Sequence, residues 1–251
     1  MDTLAPLSAA AAHAPIFLFQ HGRLGPRTTL TTRLLRPLVR ELARNPTWRV
    51  RWFDDHAPTA PGDSAALDEV LRTTPQRGRP EAYGIHPILM QVDTDPGLTG
   101  RLGSALGTLD RAAAQTVLRT AARSMLEDAP DEAPYGWSHT LTLPQALLGL
   151  AGSSAAPDRL LAMAATHVVA FRASHSSASL PEELPDFGPA PDRTTLATRA
   201  ATSHDAHVVK YVLACLDTAT FDPQQESLYL HAAQYLLDWW AKVGDPTDPL
   251  A

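Results

Sequence analysis

Apolar residues recur at three- and four-residue spacing along most of this chain, and almost nowhere do they alternate. A chain patterned that way must bury helix faces against helix faces, which confines it to an all-α architecture. The stripes fall at 28–45, with Pro37 bending or splitting the helix, at 63–72 behind the cap Asp63, and at 108–127. Others lie at 143–150, with Pro144 in the first turn and Gly152 just past the end, at 158–173, apolar all round, and at 203–219. A last helix runs from the cap Asp222 and Pro223 to a stop at Gly244. The expected fold is all-α, a single-domain antiparallel helical bundle around an internal pocket, spanning 1–251. Residues 48–53 alone alternate like a strand, with nothing nearby to pair with them. Loops are expected at 54–62, 74–84 and 174–195, the last long enough to act as a lid or mobile loop. The glycine-rich run 100–107 reads as a loop leading into a helix.

Composition narrows the function. Acids outnumber bases 27 to 21, a net charge of −6 that favours neither nucleic acid nor an anionic membrane surface. No apolar run approaches the ~20 residues of a membrane span. The start lacks a basic leader segment, so a cytoplasmic location is expected. The single cysteine, Cys215, excludes an internal disulfide and any paired-cysteine metal site, and its apolar neighbours mark it as a small core residue. Trp239 and Trp240 read as core packing. The glycine-rich phosphate and dinucleotide loops, the nucleophile elbow and the zincin helix motif are all missing from the sequence.

One constellation remains. Within 203–216, His204 and His207 are i, i+3 neighbours on a helix, and so are His207 and Lys210. Only two of the 21 basic residues are lysines, Lys210 and Lys242, so a lysine among Val209, Tyr211, Val212 and Leu213 stands out. A buried lysine must lose its charge, find a carboxylate or react. A neutral amine can add carbon dioxide and become an anionic oxygen ligand beside imidazoles suited to Fe, Zn or Cu. The spacing equally fits a plain helix start, with His204 and Asp205 capping and Lys210 extending its stem toward solvent. His139 precedes an apolar helix start, His167 lies on the face of Met163 and Phe171, and His13 opens an apolar stretch. Each, taken alone, reads as a core or hydrogen-bonded histidine.

Four segments together resemble the questin oxidase-like family. Residues 205–210 (DAHVVK) look like that family's helix with a histidine three before a lysine. Residues 137–150 (WSHTLTLPQALLGL) resemble its histidine-threonine helix, 12–16 (AHAPI) its N-terminal histidine helix, and 114–122 (AQTVLRTAA) a further histidine helix. The resemblance implies an all-helical, non-haem-iron-type oxygenase that oxidises or ring-cleaves a polycyclic aromatic polyketide such as an anthraquinone. It implies iron held by His13, His139, His207 and a carboxylated Lys210, with NADPH as an external reductant. Gln115 stands where the family has a fourth histidine, and its stripe with Leu118, Ala122 and Met125 predicts that it faces the same cavity. The catalytic set so implied is His139, His207 and Gln115. The residues also leave open a metal-free cyclase or hydrolase using His139 or His207 as general base, and a non-catalytic binding subunit on the same scaffold.

Overall fold

The computed structural model describes residues 13–24, 50–54, 56, 58–81, 85–127 and 135–243, with four further helical positions at 33, 36, 39 and 40. Ten α-helices and one 3-10 turn build these residues, and no strand occurs among them, so the fold is all-α. In chain order they are α1 (His13–Arg23), α2 (Ser64–Arg72), α3 (Ile85–Asp93), α4 (Pro96–Ala105), α5 (Arg111–Glu127), α6 (Tyr135–Ala151) and α7 (Pro157–His175). Then follow α8 (Arg193–Ala201), α9 (Ala206–Phe221), the 3-10 turn Pro223–Gln225 and α10 (Glu226–Val243). Among the described residues no helix is long and apolar enough to cross a membrane. The helix expected at 28–45 lies outside the described residues, apart from those four positions.

The centre is α7. From Leu160 to Ser174 every side chain is buried, as an all-round apolar helix requires. It packs against α6, α3 and α5. Arg172 is a fully buried charge in this interior. Its guanidinium donates to the carbonyls of Leu71 and Arg72 at the C-terminal end of α2, to Ser124 Oγ and to the Ala178 carbonyl. A cation there meets the negative end of the α2 dipole.

Three helices beside this core run parallel to one another. His13 of α1 lies against His139 of α6 and Phe19 against Gly149, while His139 meets Lys210 of α9 and Gln145 meets Asp217. Residue number therefore rises in the same sense along α1, α6 and α9. Chain neighbours such as α6 and α7, joined by a short turn, run antiparallel instead, with His167 Nε2 3.1 Å from the His139 carbonyl. At the other end of the molecule, Gly62 and Gly107 approach so closely that a Cβ on either would strike backbone of the other's strand of chain. An isolated bridge between Pro61 and Thr108 lies beside them.

Several expectations are corrected. Pro144 is not in a first turn but inside α6, which begins at Tyr135. Residues 50–54 form no strand; Trp52–Asp54 make a turn whose amides at 51 and 52 donate to Asp93. The glycine-rich run is helical through Ala105, started by Asp95 as cap and Pro96 in the first turn. Asp222 donates no side-chain cap to the final helix; its carboxylate is consumed elsewhere. Apart from these corrections, the connection at 176–192 makes contacts with the core: Arg172 donates to the Ala178 carbonyl, Arg123 to those of Pro181 and Glu183, and Phe187 lies against His231.

Candidate metal centre

α9 begins at a cap that also organises a histidine. Asp205 Oδ1 accepts the backbone N–H of His207 at 2.6 Å and lies 3.0 Å from His207 Nδ1. A carboxylate only accepts, so the proton of a neutral His207 sits on Nδ1, which makes Nε2 the nitrogen that carries the lone pair. One turn later on the same face comes Lys210.

The structure brings His13, His139, His207 and Lys210 together. One ligand-capable nitrogen from each of the three imidazoles lies within 4.8 Å of the others. His13 Nε2 and His139 Nε2 are 3.3 Å apart, and Lys210 Nζ stands 3.0 Å from His139 Nε2 and 3.4 Å from His13 Nε2. Neighbouring ligands of a metal with bonds of about 2.1 Å stand roughly 3.0–3.4 Å apart, so the first pair already has the separation that a shared ion imposes. The His139 ring is buried, and the other two are half-buried.

Electrostatics keep the imidazoles of His139 and His207 neutral. Burial pushes His139 well below the usual histidine value, and Lys210, His13 and His207 add to the effect. His207 is lowered to about 4, first by burial and then by Lys210, against the opposing pull of Asp205. Burial also brings the Lys210 amine down to about 8. Behind His139, the fully buried His167 is lowered to about 3 by desolvation, so it is neutral, and its Nε2 contacts the His139 carbonyl.

The donor set fits a divalent transition metal. Three imidazole nitrogens stand within ligand distance of one another, and the outer carboxylate of Asp205 orients one of them in the manner of a carboxylate–histidine–metal relay. Among the described residues no carboxylate joins the three imidazoles, so these ligands alone bring a dication no countercharge. A Lys210 ammonium would oppose it, whereas a Lys210 carbamate would supply both the anion and an oxygen ligand.

Gln115 does not belong to this cluster. Its amide donates to Asp222 Oδ1 at 3.1 Å, in a group where Arg119 grips both carboxylate oxygens at 2.6 and 2.8 Å and the Tyr229 hydroxyl adds a third bond at 2.9 Å. Asp222 follows Lys210 by twelve residues along α9, about 18 Å of helix. The apolar stripe of α5 fixes which face turns inward but not the axial level, and that face meets the fully buried Asp222 carboxylate instead. Asp205 and His167 are the residues that spacing alone overlooks. Asp205 was legible as a cap; a cap whose second neighbour is a histidine is the signal for its other role. Cys215 is fully buried and burial pushes its thiol up, as a core residue requires. Trp239 and Trp240 are half-buried and meet edge to face with centroids 5.0 Å apart. No family model, curated protein or solved structure matches the chain.

Proposed function

We propose that this protein is a metal-dependent oxidoreductase in which His13, His139 and His207, with Lys210 as its carbamate, hold iron and act on a flat polycyclic aromatic of the anthraquinone type. The observation that carries it is the convergence of three imidazoles, His139 and His207 held neutral, and an amine of lowered pKa on one point, from three separate helices. The choice of iron and of an aromatic polyketide rests on the resemblance to questin oxidase-like proteins. Iron in a nitrogen-rich site with open positions supplies one-electron activation of dioxygen. The chain's own part is to hold His139 and His207 neutral, to keep His207 Nδ1 protonated against Asp205, and to exclude water with the surrounding apolar helices. A metal-free general base is disfavoured by the same numbers, because an imidazole with a pKa of about 4 is a weak base at neutral pH.

Dioxygen uptake by anaerobically iron-loaded protein given 1,8-dihydroxyanthraquinone tests the assignment. Uptake that disappears in His207→Ala supports it. Insertion of both oxygen atoms balances without a reductant, whereas retention of one needs two electrons, so dependence on NADPH separates the two stoichiometries. Iron-loaded protein that consumes no oxygen with this compound, with or without NADPH, overturns the aromatic oxygenase assignment.

A further inference from the structure

The helices that carry the cluster also build a cleft. Phe19 lies six residues beyond His13, Gln145 six beyond His139, and Asp217 seven beyond Lys210, which places all three about 9–10 Å further along the parallel helix axes. There they line a mostly apolar cleft of about 430 Å³, a size ordinary for small-molecule sites. Leu118, Leu148 and the Phe221 ring complete much of its wall, and Gly152 adds no side chain to it. At the rim the Arg111 guanidinium lies 4.7 Å from the Phe221 ring centroid and donates to the Phe221 carbonyl.

One polar group in the wall has no protein partner. Thr218 is 1% exposed and its hydroxyl oxygen is buried and unbonded. Other helical threonines here, Thr116, Thr120, Thr166 and Thr220, bond back to the carbonyl four residues earlier, and Thr218 does not. A buried hydroxyl without a partner is costly, and a ligand atom that pairs with it recovers that cost. The lining charges balance, because Arg23 binds both oxygens of Asp217 and the remaining pair, Asp110 and Arg111, brings one charge of each sign. A neutral occupant therefore fits better than an ionic one.

We propose that this cleft binds the ring-containing, apolar body of a neutral small molecule through a hydroxyl or carbonyl group that pairs with Thr218. The cleft lies about 9–10 Å along the helices from the cluster, none of whose residues lines it, and the proposal rests on the function proposed above only in calling the ligand a substrate. The test is equilibrium dialysis of metal-free and metal-loaded protein against 4-hydroxybiphenyl. Saturable binding of one molecule per chain is expected in both. A Cβ at Gly152 meets nothing within 4 Å, so Gly152→Phe folds while filling the cleft, and it should weaken binding by roughly tenfold or more. Thr218→Val keeps the shape and removes the hydroxyl, for a loss of about three- to tenfold. Binding with this variant pattern in protein that takes up no metal upholds the cleft and counts against the metal centre alone. Metal-loaded protein without saturable binding, or binding indifferent to both variants, overturns the cleft and leaves the metal centre standing.

Discussion

Replacing Asp205 separates two jobs done by one oxygen atom. Its Oδ1 caps α9 through the His207 N–H and also receives His207 Nδ1, while Oδ2 is buried with no partner. Asp205→Ala removes both interactions, and Asp205→Ser retains a cap while losing the carboxylate. Loss of a good cap costs about 1 kcal/mol. In a chain of this size that lowers Tm by roughly 2–4 °C, and relief of the unpaired Oδ2 reduces the figure. Asp205→Ser should fall within about 0.5 kcal/mol of wild type because serine caps nearly as well. Metal affinity should follow a different order. Losing the outer carboxylate typically weakens binding 10- to 100-fold, about 1.4–2.7 kcal/mol, and it does so equally for the serine and alanine variants. Thermal unfolding of the metal-free proteins, paired with metal competition against a chromophoric chelator, reads the two effects separately. A serine variant that holds metal as tightly as wild type would refute the orienting role of Asp205, as would affinities that merely track Tm.

Lys210 forms its carbamate only as the free amine, which adds carbon dioxide and releases a proton. With a pKa of about 8, the carbamate signal from 13C-labelled bicarbonate should grow from pH 7 to pH 9, shrink below pH 7, and be missing in Lys210→Ala, whose activity short carboxylic acids should partly restore. Gln115→His should leave metal content unchanged, because position 115 serves Asp222, and should cost about 1 kcal/mol in chemical denaturation through the lost bond. An increase in bound metal would contradict that placement. His167 has a folded pKa of about 3 against 6.5 when unfolded, so between these values the unfolded chain binds the extra proton. Stability from this group is complete above pH 6.5 and is lost as pH falls toward 3. Urea unfolding should show wild type losing up to about 1.4 kcal/mol more per pH unit than His167→Gln between pH 6 and pH 4, and equal slopes would count against burial of a neutral His167.

The sequence revealed helices where a long apolar stripe stood clear of breakers, and its stripes missed α1, α3 and α8. The span of α2 was legible from Asp63 and its stripe, and those of α5, α7 and α9 to within three residues at each end. It concealed α4, where Gly97, Gly100 and Gly103 read as loop. There tertiary packing overrides propensity: Gly103 lies near Trp52 and His56, where a larger side chain would crowd them. Pro144 misled in the opposite direction, since a proline that looks like a first-turn residue sits deep within α6. Of the site, the His207–Lys210 spacing was legible because both residues share one helix. The approach of His13 and His139 was not, since it depends on how α1 and α6 pack, and only the family resemblance suggested it. Gln115 and Asp222 illustrate the same limit. Each was assigned a role from its own helix, and each is occupied by the other, together with Arg119 and Tyr229.

Metal content bears most directly on the assignment of the centre. Protein loaded anaerobically with iron, freed of excess metal and measured by elemental analysis should hold about one iron per chain, and His207→Ala should hold little, because removing one of three imidazoles breaks a small ligand set. Wild-type protein without metal, or a His207→Ala variant retaining as much as wild type, would contradict a metal centre at His13, His139 and His207.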